Sequence, residues 1–135
     1  MTKQELSQIR DLGNEIKAKL EMCDQLRDLA SRTSVDFSFD KVSGGNKQGS
    51  RLENNAVNIM MIERDMRYDV YALSKIRNEA MAIINKMQTS KYRSVLINYY
   101  INCKSWEETA ESMAYSLRNI YYIHGQALNE LKSLH

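Results

Sequence analysis

The chain has 135 residues, 43% of them apolar, with five glycines and no proline. That is room for one domain, or for a small domain with a long helical attachment, and it holds too few turn formers for a β-sandwich or barrel. Nineteen basic side chains against seventeen acidic leave a net charge of +2, so bulk charge does not mark a general polyanion binder.

No apolar run approaches the roughly eighteen residues of a membrane span, and no apolar leader opens the sequence. The two cysteines, Cys23 and Cys103, are far apart in sequence. Together these features predict an all-α, soluble, cytoplasmic protein with reduced thiols and no membrane partner.

Residues 1–33 form the first piece. Leu6, Ile9, Leu12, Ile16, Leu20, Cys23, Leu26 and Ala30 recur by threes and fours, the period of one buried helix face. Thr2 with Glu5 fits a capping box at its start, and Gly13 is the weak point, costing roughly 1 kcal/mol against alanine. Residues 34–51 read as a linker. In Ser34–Asp40 the alternation of Val35, Phe37 and Phe39 predicts a short extended segment, and Ser43–Ser50 a flexible connector.

Residues 52–88 predict a second long helix. Leu52, Ile59, Met66, Leu73, Ala80 and Met87 stand seven apart, and Ile62, Ile76 and Ile83 occupy the other seam position, where Asp69 interrupts. This is a coiled-coil stripe, read as a helical hairpin or a seam between two copies. Glu63 and Arg67 suit an i,i+4 surface pair, and the eight methionines read as core filler.

Residues 89–135 predict three short helices. Tyr92–Ile101 turns Val95, Leu96 and Tyr99 inward, and Asn102-Cys103-Lys104 makes a turn. Ser105 and Glu108 form a second capping box ahead of Trp106, Ala110 and Met113, and Ala114-Tyr115 is a tight connection. Ser116 then caps a helix with Ile120, Ile123, Ala127, Leu128 and Leu131 on its buried face. Three helices with two short turns make a helix-turn-helix pattern.

At Leu96, Tyr99, Ser105-Trp106-Glu107-Glu108, Ala110, Met113 and Tyr115-Ser116, continuing through Ile120, Ile123, His124, Ala127, Leu128 and Leu131, the chain resembles the fourth region of bacterial sigma factors. With its long helices it is similar to small phage and prophage regulators of the ArpU and RinA type. Thr109 stands where that pattern usually has isoleucine or valine, and Ala114 where it often has glycine. The resemblance implies a DNA-binding transcription regulator of phage late genes in a bacterial host. Its partners are then double-stranded DNA and RNA polymerase, with homo-oligomers formed through the long helices.

On that reading Ser116 opens the recognition helix. Leu117, Arg118, Asn119, Tyr121 and Tyr122 follow on its outward side, and Lys104 lies toward the DNA backbone. Arg118 suits a guanine edge or a phosphate, and Asn119 an adenine edge. Tyr121 and Tyr122 suit phosphates and thymine methyls, or equally a protein partner, for which tyrosine gives large contact area. Lys91 and Arg93 stand near helix ends, and Gln126 lies too far along the helix to reach bases.

An enzyme is not expected. The two histidines and two cysteines show no metal-ligand spacing, no glycine-rich phosphate loop is present, and no cofactor is implied. The competing reading is a module that binds polymerase or another protein rather than DNA.

Overall fold

The computed structural model describes the backbone of residues 1–39 and 45–134 and the side chains of residues 1–31 and 53–134. The protein is all-α, with no strand among the described residues. Helix α1 spans Lys3–Phe39, α2 Gly45–Ile84, α3 Ser90–Leu96, α4 Trp106–Met113 and α5 Leu117–Ser133. A π-helical turn, Ile97–Ile101, continues α3.

The predicted extended segment is corrected: α1 runs on through Ser34–Phe39. A lone strand in a helical chain has no partner for its backbone amides and carbonyls, whereas a continued helix satisfies them within the segment. α2 likewise takes in Gly45–Ser50 of the expected connector, and Asp40–Gly44 lie outside the described residues.

The chain divides into two compact units, residues 16–70 and residues 1–15 with 71–135. In the first, α1 and α2 lie antiparallel within one chain, as the cross-pairs Lys19–Asp69 and Arg27–Glu63 require. Ile16, Cys23 and Met66 are buried in the seam. Leu20, expected on this face, is 49% exposed, because the seam follows a seven-residue repeat that puts Lys19 inward in its place. Glu63, expected to pair with Arg67, takes Arg27 across the hairpin. Met22, Met60 and Met61 face solvent, so core filling accounts for only some of the methionines.

The interruption at Asp69 now has a reason: its carboxylate accepts from Lys19 Nζ at 2.5 Å, with both side chains about three-quarters covered. A charge pair at a seam position fixes register at a cost in stability. Replacing both residues with leucine is therefore expected to raise stability by about 1–2 kcal/mol while loosening register. Urea unfolding and crosslinking between the helices would show the two effects together; a double variant less stable than the parent would contradict this.

The second unit holds the larger core: Leu6 and Ile9 of α1, Leu73, Ala80 and Ile84 of α2, Met87, Val95, Leu96, Tyr100 and Ile101, and Ile120, Ile123, Ala127 and Leu131 of α5. Thr2 and Glu5 exchange backbone-to-side-chain bonds at 3.2 and 3.3 Å, the expected capping box. In the π turn, Asn102 N–H donates to the Ile97 carbonyl five residues back, at 2.9 Å. The Tyr99 carbonyl instead accepts from Arg10 Nη1 at 2.5 Å, and the same nitrogen donates to the Lys104 carbonyl at 2.8 Å. The Arg10 guanidinium also lies 3.9 Å from the Tyr99 ring centroid. One residue of α1 thereby clamps the turn that leads into α4.

Candidate nucleic-acid interface

The turn chemistry before and after α4 fixes how α5 is presented. Ser105 and Glu108 form the predicted capping box, Glu108 N–H donating to Ser105 Oγ at 3.1 Å and Ser105 N–H to Glu108 Oε1 at 3.4 Å. Buried Thr109, the residue at variance with the sigma pattern, donates its hydroxyl to the Ser105 carbonyl at 2.8 Å, so the buried polar atom is satisfied. α4 ends at Ala114 in the left-handed conformation, φ 57° and ψ 41°, with Tyr115 N–H on the Ala110 carbonyl at 3.0 Å. A glycine there escapes the Cβ penalty that Ala114 bears. Ser116 Oγ then accepts from Asn119 N–H at 3.2 Å and starts α5.

An aromatic cluster braces α4 against α5. Trp106 stacks on Tyr99 at 3.7 Å and 14°, and meets Tyr121 and His124 edge-on at 5.4 and 4.7 Å. Tyr100 Oη lies 2.7 Å from His124 Nε2. Burial, with Tyr99 beside it, pushes the Tyr100 hydroxyl up to about 12 against a smaller opposing effect of Arg10. Burial, helped by the Lys3 ammonium, holds His124 down at about 4. At neutral pH the imidazole is uncharged, and Tyr100 donates to it.

That neutral imidazole makes stability depend on pH. Above pH 6.5 neither state binds the proton; below it the unfolded chain protonates first, so stability falls as pH drops from about 6.5 toward 4. Paired replacement of His124 and Tyr100 by phenylalanine, which leaves no orphaned hydroxyl, is expected to flatten that decline. Urea midpoints at several pH values compare the two slopes; parallel slopes would place the titration elsewhere.

The predicted site residues do not all come together. Arg118 and Asn119 are exposed on the first turn of α5, and Tyr122 is 64% exposed. Tyr121 is 49% exposed, with its ring against Trp106. Leu117, expected to face outward, is half-buried, and the Ser116 hydroxyl is engaged as a cap. Lys104 precedes α4 and donates from Nζ to Ser112 Oγ at 3.0 Å, so it is tied to α4 rather than to the α5 row. Arg93 donates to the Met87 carbonyl at 2.5 Å, and Lys91 lies 5.7 Å from the Tyr92 ring centroid. Gln126 bridges two tyrosines: Tyr92 Oη donates to its Oε1 at 2.6 Å, and its Nε2 donates to Tyr122 Oη at 2.7 Å.

Sequence reasoning passed over Lys3, Tyr92, Gly125, Asn129 and Lys132 as members of this surface. The available signal was Gly125 itself, a glycine in the middle of a helical pattern. Among the described residues no three His, Cys, Asp or Glu side chains cluster as metal ligands, and no helix is long and apolar enough to cross a membrane.

The fold and surface define a helical hairpin protein with a carboxyl-terminal helix-turn-helix unit. By sequence, residues 31–132 match the family described as protein of unknown function (DUF1492), and the chain belongs to that family. No curated protein and no solved structure matches it.

Proposed function

We propose that the protein is a sequence-specific regulator of transcription that binds double-stranded DNA, of the sigma-region-four-like, ArpU and RinA kind, acting on phage or prophage late genes in the bacterial cytoplasm. It is a binding protein and not an enzyme. One observation carries the reading. α5 buries Ile120, Ile123, Ala127 and Leu131, yet leaves Arg118, Asn119 and Tyr122 exposed at the end that a cap and a tight left-handed turn hold in place. A recognition helix needs that division: its N-terminal side chains meet base edges while a second helix braces it.

Arg118 then addresses a guanine or a phosphate, Asn119 an adenine, and Tyr122 the backbone. The long helices supply contacts to RNA polymerase or to a second copy. The exposed row of Val57, Met60, Met61 and Tyr68 on the outer side of α2 supports that role.

The test is selection of genomic DNA fragments at near-physiological salt, beside an Arg118→Ala, Tyr122→Ala double variant. One discrete enriched set, lost in the variant, supports the proposal; equal enrichment by both, or none, removes it. A second reading, a protein-binding module, is favoured by the exposed rings of Tyr115, Tyr121 and Tyr122 and by the small net charge. Salt separates the two, because phosphate contacts weaken steeply with it and tyrosine-anchored contacts barely respond.

A further inference from the structure

A groove of about 580 Å³ runs along the outward side of α5, and Lys3, Tyr121, Tyr122, Gly125, Asn129 and Lys132 contribute to its walls. Gly125 forms part of its lining in mid-helix, where glycine costs helical stability. Nothing in the fold requires it: a Cβ built there meets no atom within 4 Å, and φ is not positive. A mid-helix glycine with open space above it fits the close approach of something outside the chain.

The groove's chemistry states what that something is. Lys3 and Lys132 place two ammonium groups along it, and no carboxylate lines it among the described residues. Tyr122 Oη already accepts from Gln126 Nε2, whose amide is held in turn by Tyr92 Oη, so that bond leaves the Tyr122 hydroxyl proton for a further acceptor. Two cations, a hydroxyl donor and a glycine floor suit a chain of anionic oxygens.

We infer that this groove is a track for the sugar–phosphate backbone of duplex DNA, with Gly125 as steric clearance and Tyr92 and Gln126 as positioning residues for Tyr122. The inference rests on the DNA-binding reading and extends it from the first turn of α5 to the helix's far half. The track is blind to sequence, so it acts on any duplex.

The test titrates a labelled random-sequence duplex across a salt series with the whole protein, Gly125→Ala, Gly125→Leu and a Lys3→Gln, Lys132→Gln double variant. Gly125→Ala is expected to raise the thermal midpoint, and Gly125→Leu to weaken binding by on the order of tenfold. The double lysine variant is expected to lower the slope of log affinity against log salt by about 2, one counterion per lost phosphate contact. If the parent binds duplex and the variants match it in affinity and slope, the track is wrong and the DNA reading stands. A lowered midpoint for Gly125→Ala gives the glycine a role inside the fold and overturns the clearance argument. A parent that binds no duplex at the lowest salt overturns the DNA reading and the track with it.

Discussion

Trp106→Ala is expected to destabilise the carboxyl-terminal unit by about 3 kcal/mol, near the lower end for removal of a large packed aromatic. The side chain is not fully buried, so area alone does not carry that figure. Its ring stacks on Tyr99 at 3.7 Å and takes the edges of Tyr121 and His124, and aromatic pairs contribute beyond the area they bury. Deletion removes three such pairs together and opens His124 to water. The His124 proton affinity then moves back from about 4 toward its ordinary value, a second readout by nuclear magnetic resonance of the imidazole. Thermal unfolding followed by circular dichroism measures the first effect; a loss below about 1 kcal/mol would mean the cluster closes over the gap.

Gly13→Ala reverses the expectation from helix propensity. Alanine in mid-helix is better than glycine by roughly 1 kcal/mol, but a Cβ at residue 13 falls 2.6 Å from Cys103 Sγ. The sulfur has little room to retreat. Cys103 sits at φ 57° and points its thiol at the Arg10 carbonyl, 3.6 Å away, while the Arg10 guanidinium holds the neighbouring Tyr99 and Lys104 carbonyls. We expect a net loss of about 2 kcal/mol, within the range for an overpacked contact.

Cys103→Gly removes the sulfur and the left-handed strain at once. The double variant is therefore expected to recover the loss and the propensity gain, a strongly non-additive cycle in urea unfolding. Additive single effects would show that the helix shifts to admit the methyl group.

Features fixed by neighbours in sequence were legible from the residues alone. Thr2 with Glu5, Ser105 with Glu108, and Ser116 cap the helices they were expected to cap, because each cap spans three residues. The heptad from Met66 through Leu73 to Ala80 is buried as its spacing predicts, whereas Met87 is buried beyond the end of α2, which stops at Ile84 short of the expected residue 88. In α1 the periods of 3.5 and 3.6 residues diverge along its length, and only the Lys19–Asp69 pair decides between Lys19 and Leu20 as the inward residue.

The rest depends on partners far away in sequence. Arg10 bonds a carbonyl 89 residues on, Gly13 owes its identity to Cys103, and Gln126 is engaged by Tyr92 34 residues earlier. Within the candidate surface Arg118, Asn119 and Tyr122 were legible as outward residues of one helix. Lys104 stands ahead of α4, apart from that row, and its bond to Ser112, eight residues later, was not legible from the sequence.

The clamp by Arg10 also sets the order of events as the chain is made. Leu6, Ile9 and Arg10 leave the ribosome early, yet they are buried against or bonded to residues beyond position 71. The helix-turn-helix unit therefore has high contact order: it closes only after the intervening hairpin has been synthesised, and that long loop slows its collapse. A fragment cut to the family-matched residues 31–132 lacks this amino-terminal strap altogether. Such a fragment is expected to bare the Tyr99 ring and the carbonyls that Arg10 holds, and to aggregate where the full chain folds.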